Sequence, residues 1–357
     1  MTTTSPCFFL GANTPQGFYS LYDQLLLPQA KRRVYLLKGG PGCGKSSLMR
    51  HVAAAASARG LPLECIQCSG DPDSLDAVIF PSKGVAIVDA TAPHIIEPSY
   101  PGVIESYVNL GQFYDTKALN AKKTSIISCT DGVHACYKRA YRLLDAALKV
   151  REPLPAAALS PSAAARMKKR IENIAAKKWK KKGTGGQLIQ RFLGGVTFKG
   201  QLRLYETAEL LCDQIYEFWD NYALSGPALS YLQTAALKAG YDVISCPDPL
   251  HPDVTAHLII PELSLAFVTS SDLLPYRGKP ARRLRFDMLI EPDWMRKNRA
   301  RLRFAKKMSK LLLADAVAAF ADAKAMHDQL EALYNPHVDF EGVYATAEQI
   351  AGEILAL

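Results

Sequence analysis

Apolar and polar residues fall in blocks along this chain, and the length of each block predicts an element. Val34-Tyr35-Leu36-Leu37 is a continuous apolar run, the pattern of a strand buried on both faces. Residues 47–59 follow as an alanine-rich helical stretch that Gly60 and Pro62 bring to an end. Residues 63–68 predict a second strand and residues 69–76 a polar loop. Gly84-Val85-Ala86-Ile87-Val88-Asp89 is another apolar run, this one ending in a carboxylate. Residues 124–129 read as a further strand and residues 132–150 as a long amphipathic helix. Earlier, residues 19–27 have helical spacing and stop at Pro28. Strands alternating with helices predict the α/β class with a doubly wound parallel sheet.

The second half repeats the first. Phe9-Leu10-Gly11-x-x-Thr14-x-x-Gly17 returns 183 positions later as Phe192-Leu193-Gly194-x-x-Thr197-x-x-Gly200. Further on the offset is 180: Ile79-x-Pro81 meets Ile259-x-Pro261, and Ala86-x-Val88 meets Ala266-x-Val268. A repeat of this length predicts two copies of one fold in tandem. The expected division is residues 1–150 as the first copy, 151–186 as a Pro/Ala linker with a basic helix, and 187–357 as the second copy.

Composition narrows the class. The chain has 357 residues, 48% hydrophobic and 22% charged, which is ordinary for a globular protein with room for two cores. No apolar run approaches the ~20 residues that span a bilayer, and the first residues lack a signal-peptide pattern. Eight dispersed cysteines suit reduced thiols better than a disulfide scaffold, so a cytoplasmic protein without a membrane partner is expected. The net charge is +9, and residues 166–182 alone hold nine Lys/Arg against one Glu. Met167, Ile171, Ile174, Ala175 and Trp179 sit there at helical spacing. The stretch reads as a solvated linker helix, a contact for nucleic-acid backbone, or a contact for another anionic partner. A cation reaching the nucleotide of a neighbouring copy is a further option, which makes a homo-oligomer one expectation.

The chemistry concentrates in Gly39-Gly40-Pro41-Gly42-Cys43-Gly44-Lys45-Ser46, between the first strand and its helix. It fits G-x-x-x-x-G-K-[ST], the phosphate-binding P-loop. Glycines let the backbone wrap a polyphosphate and aim its N–H groups inward, and the helix N-terminus adds partial positive charge. Lys45 is expected on the β- and γ-phosphates of ATP, with Ser47 extending the contact set. Ser46 and Asp89 are expected to hold Mg²⁺. Ala90 stands where many ATPases place a glutamate, so the water-positioning group must be sought on the next loop. Glu97 and His94 are the candidates, set against a solvated charge and a loop-ordering hydrogen bond. Asp73 and Asp76 either complete the metal shell or cap local turns, and Ser128 and Thr130 either sense the γ-phosphate or bond at a strand end. In the second copy the lysine position falls on Ser225 or Ala228, depending on register, so its phosphate chemistry is expected to be lost.

The P-loop block, the segment Cys68-Ser69-Gly70-Asp71-Pro72-Asp73-Ser74-Leu75-Asp76 and the run Ile87-Val88-Asp89-Ala90-Thr91-Ala92-Pro93-His94 resemble an uncharacterised bacterial family of tandem P-loop ATPases. The run continues through Glu97-Pro98-x-x-Pro101-Gly102 and Asn109-Leu110-Gly111, and residues 191–200 resemble the start of that family's second repeat. The resemblance implies a duplicated P-loop NTPase fold and ATP as ligand, with the second P-loop degenerate here. Three functions stay open: an ATPase coupled to a partner, a nucleotide or small-molecule kinase, and an ATP-sensing scaffold with little turnover.

Overall fold

The computed structural model describes residues 5–26, 30–151, 153–183 and 185–357. The chain forms two compact units, and each draws on both halves of the sequence. Unit 1 comprises Met1–Arg142, Val196–Gly200 and Asp315–Leu357; unit 2 comprises Leu143–Gly195 and Gln201–Ala314.

In unit 1 a six-stranded sheet has the order β1-β5-β6-β7-β4-β8. The strands are β1 (Cys7–Phe8), β4 (Arg33–Lys38), β5 (Glu64–Gln67), β6 (Leu75–Phe80), β7 (Val85–Asp89) and β8 (Glu105–Asn109). A separate hairpin pairs β2 (Gly11–Thr14) with β3 (Gly17–Ser20). β4 lies between β7 and β8, parallel to both, with Leu37 level with Asp89. Its four central residues are buried, as its unbroken apolar run requires. Helix α1 (Lys45–Ala58) packs Leu48, Met49, Val52 and Ala56 into the core. Beside it lies α8 (Phe340–Ala356), which buries Val343, Ala347, Ile350, Ala351 and Ile354 along one face. Asp339 caps α8 by accepting the Gly342 amide.

Unit 2 repeats the plan. Its sheet has the order β16-β12-β15-β14-β13-β9, the same sequence of equivalent strands. They are β9 (Leu188–Gln190), β12 (Gln214–Trp219), β13 (Val243–Asp248), β14 (His251–Ile260), β15 (Leu265–Ser270) and β16 (Arg282–Arg285). The hairpin β10 (Gly194–Thr197) with β11 (Gly200–Arg203) answers β2 with β3. Helix α6 (Gly226–Ala239) answers α1, and α4 (Pro161–Lys178) takes the place of α8. The chain is thus a duplicated α/β fold.

Several expectations change. The sheets are mixed, not all parallel: β6 runs antiparallel to both β5 and β7. The β6–β7 link is the short turn Pro81–Lys83 closed by Gly84, and so tight a link can only join antiparallel strands. Residues 124–129 open helix α3 (Lys123–Lys149), so Ser128 and Thr130 are helical and not at a strand end. A short apolar run has no periodicity to separate strand from helix, and β8 holds the sheet edge beside β4. Residues 19–26 form no α-helix: they pass through the end of β3 and a single 3-10 turn at Tyr22–Gln24, while Leu27 and Pro28 lie outside the described residues. The basic stretch is core on one side, since Met167, Ile171, Ile174 and Ala175 pack against Leu229, Leu232 and Ala236. Its lysines lie on the outer face, where Lys178 donates to Gln214 and Lys182 pairs with Glu262. Helix α2 (Thr116–Ala121) precedes α3, and α5 (Tyr205–Leu211) and α7 (Pro292–Tyr334) complete the helices among the described residues. Among the described residues no helix is long and apolar enough to cross a membrane.

Candidate functional site

The glycine loop leaves the carboxyl end of β4 and turns into α1. Gly42 and Gly44 have φ of 68° and 85°, the left-handed backbone that favours glycine. Gly44 is the N-cap of α1 and its carbonyl accepts the first helical bond, from Leu48 at 2.8 Å. The leading amides of α1, on Lys45, Ser46 and Ser47, have no acceptor within the helix and project toward the loop.

Lys45 curls back into the loop. Its ammonium donates to the carbonyls of Gly39 at 2.7 Å and Gly40 at 2.8 Å, and lies 3.6 Å from Asp89 Oδ2. Asp89 is set by a local turn, its Oδ1 accepting the Thr91 amide at 2.9 Å and the Thr91 hydroxyl. Lysine and carboxylate meet because β4, which leads into the loop and α1, and β7, which ends in Asp89, are adjacent and parallel, so both segments emerge at the carboxyl end of the sheet. The Ser46 hydroxyl accepts the Leu75 amide at 3.0 Å, tying the loop to the start of β6. Cys43 is buried and packs against Gly39, where a Cβ would lie 2.6 Å from its sulfur. Pro41 sits half-buried in the turn between Gly40 and Gly42.

His94 and Glu97 go to different places. His94 is buried, its Nε2 3.1 Å from Asp76 Oδ2, with Phe18 and Tyr22 packed on its ring. The Tyr22 hydroxyl donates to the same oxygen at 2.8 Å, and His94 Nδ1 has no partner. Burial pushes the Asp76 carboxyl and the Cys68 thiol up. Cys68, Asp76 and His94 bring one donor atom each within 4.8 Å of one another. Glu97 is exposed, one oxygen accepting from Lys38 at 3.1 Å and the other from the Tyr107 hydroxyl at 2.6 Å. Lys38 also donates to the carbonyls of Ala90 and Ile96, pinning the loop after β7. Asp73 pairs with Lys199, and Thr130 bonds its own helix at the Ile126 carbonyl.

The sequence reading missed what lies against the loop from far along the chain. The Tyr114 hydroxyl accepts the Gly40 amide, and Tyr334 packs on Tyr114 with ring centroids 5.7 Å apart. A Cβ on Gly42 would lie 2.3 Å from Asn335 Oδ1 and 3.1 Å from the Glu331 carbonyl, so the end of α7 is pressed onto the loop. The Glu331 carboxylate lies near the Gly42 amide. A hydrogen bond with His327 foremost, helped by Lys324 and that amide, holds Glu331 below the usual carboxylate range. Asn335-Pro336, a helix-ending pair, was the one local signal that this end of α7 is shaped for something.

The equivalent loop of unit 2 is built otherwise. Helix starts align Lys45 with Gly226, and Asp220 stands at the position of Gly39. The Asp220 carboxylate accepts the Tyr222 amide at 3.0 Å and the Ser225 amide at 2.7 Å, sealing the turn from inside.

No family model, curated protein or solved structure matches the chain. The likeness to tandem P-loop ATPases therefore rests on the motifs alone.

Proposed function

We propose that the loop Gly39–Ser46 is a P-loop that binds MgATP, and that the chain is a Mg²⁺-dependent ATPase working through unit 1. The observation that carries this reading is the convergence of Lys45 and Asp89 at 3.6 Å across two adjacent parallel strands. A phosphate lysine and a metal carboxylate need that spacing to act on one ligand. The donor set fits the group: an ammonium, the first-turn amides of α1, a serine hydroxyl and a carboxylate already oriented by Thr91. Ser46 and Asp89 would hold the magnesium, which supplies charge neutralisation between phosphate oxygens. Lys45 exchanges its loop carbonyls for phosphate oxygens and balances the negative charge gathering there. Water positioning falls to Glu97 or to the His94–Asp76 pair, and Glu97 must first leave Lys38 and Tyr107.

A second reading has its own support. Ala90 follows Asp89, His94 is shut in by Asp76, and Glu97 is held by two partners. That arrangement suits an ATP sensor with slow turnover. Titration calorimetry with MgATP, followed by phosphate release with Lys45→Ala as control, tests both. Binding with release that Lys45→Ala abolishes supports the ATPase. Binding without release supports the sensor, and release only with an added acceptor supports a kinase. No binding overturns all three.

A further inference from the structure

Unit 2 contains a cavity of about 1380 Å³ at the carboxyl ends of β12 and β15, every lining residue of which belongs to that unit. It exceeds the roughly 300–1,000 Å³ of a small-ligand pocket. Its wall on one side is the first part of α7, which places Arg296, Arg299, Arg303 and Lys306 at spacings of three, four and three along one helix face. At 1.5 Å per residue that row of cations is about 15 Å long.

Eight cationic side chains line the cavity against three carboxylates. All three carboxylates are already engaged. Asp272 pairs with Lys306 at 2.7 Å, Asp248 with Arg203 at 3.7 Å, and Asp220 is taken by its own loop amides. Arg299 and Arg303, at the middle of the row, have no partner among the described residues. The field in the recess is therefore positive, and low-dielectric walls concentrate it. Trp294, Tyr222 and Phe304 also line the cavity, and Phe304 is 64% exposed. An exposed aromatic beside unpaired arginines costs solubility unless something flat and anionic covers it.

We propose that this cavity binds single-stranded nucleic acid, with the α7 row on successive phosphates and the aromatic side chains under the bases. A mononucleotide is too short for a 15 Å row, and the glycine-free turn at Asp220 offers it no amide cradle. A recessed wall admits a flexible strand where a stiff duplex would need an open face. Aromatic platforms within a cationic groove are the usual means of holding single strands without reading sequence. The site is separate from the loop Gly39–Ser46 and does not depend on its function.

Fluorescence anisotropy of labelled fifteen-nucleotide dT and rU strands against the full chain, over a series of salt concentrations, tests it. Binding should weaken with salt. Arg299→Ala/Arg303→Ala should bind at least about tenfold more weakly, with a log–log salt slope shallower by about 1.4, two phosphates at about 0.7 each. Trp294→Ala/Phe304→Ala should weaken binding with the salt slope unchanged. Both pairs of side chains lie at the surface of the cavity, and circular dichroism melts confirm that the variants fold. Lys45→Ala should bind the strands as the wild type does. No binding at 50 mM salt overturns the proposal. So does binding that the arginine pair leaves intact, or that is lost only on neutralising Lys177, Lys178 and 180–182.

Discussion

Replacing Glu331 by glutamine should tighten MgATP binding, the opposite of what a mutation beside a binding loop usually does. The carboxylate lies near the Gly42 amide and is kept ionised chiefly by its interaction with His327, whose Nε2 lies 3.5 Å from Oε1. In the P-loop proposed above, Gly42 is one of the amides that a triphosphate must reach. A phosphate arriving at that amide meets the Glu331 carboxylate nearby. Two unit charges about 5 Å apart repel by about 0.8 kcal/mol in bulk water and about 1.7 kcal/mol at an effective dielectric of about 40. The Glu331 side chain is 38% exposed, so solvent screens it and the lower part of that range applies. Glutamine keeps the shape and an oxygen acceptor but removes the charge. The expected gain is about 1 kcal/mol, or roughly fivefold in Kd. Titration with a fluorescent ATP analogue at 50 mM and 300 mM salt measures it, and the gain should shrink at the higher salt as screening grows. A Glu331→Gln protein that folds normally and binds no tighter at either salt refutes the reasoning, because phosphate then does not approach Gly42.

Three further outcomes follow from the same geometry. Lys45→Ala should weaken MgATP binding by over a hundredfold, from loss of charge-assisted bonds worth about 3 kcal/mol in all, as read by calorimetry. Asp76→Ala strips the acceptor from Tyr22 and His94 and should cost about 3 kcal/mol in urea unfolding, with Asp76→Asn costing less. Because burial raises the Asp76 carboxyl above 3.8, the native state binds that proton more tightly than the unfolded chain. Its ionisation therefore opposes folding at neutral pH, and wild-type stability relative to Asp76→Asn should rise as pH falls from the raised value toward 3.8. Ile171→Ala in α4 should cost about 3 kcal/mol in the same assay, because that side chain is 3% exposed in the unit 2 core. A cost under about 0.5 kcal/mol would return α4 to the status of a solvated helix.

Local features were legible and distant partners were not. The spacing of Gly39, Gly42, Gly44 and Lys45 is a property of eight consecutive residues, and the loop lies where that spacing puts it. Asp89 was found because it ends an apolar run. β6 was hidden because Asp76 interrupts its apolar pattern. Only the meeting with Tyr22 and His94 makes a carboxylate tolerable there, and neither is a neighbour in sequence. Residues 124–129 were misread because Ile126-Ile127 suits a strand as well as a helix, and only the length of α3 decides. The second copy's loop was out of register by a residue or more until its helix start was known. The approach of Glu331 to Gly42 had no local sign beyond the helix-ending pair Asn335-Pro336, since it depends on where a long helix ends.

The two loops solve one problem in two ways. A tight turn that leads into a helix gathers amides that point the same way, and such amides need an acceptor. In unit 2 the acceptor is Asp220, a member of the turn itself, bound to the amides of Tyr222 and Ser225 and unable to leave without unmaking the loop. In unit 1 the position of Asp220 is Gly39, which carries no side chain. An acceptor comes instead from outside the turn, the Tyr114 hydroxyl on the Gly40 amide, with the half-exposed Glu331 carboxylate beside Gly42. A tethered acceptor excludes phosphate permanently. One that arrives from a neighbouring element can be exchanged for phosphate at a cost near 1 kcal/mol, well within what Lys45 and a metal ion return. On the proposed reading, the absence of a lysine from the second loop and the presence there of an internal carboxylate belong together: where no phosphate is to come, the amides need a permanent partner.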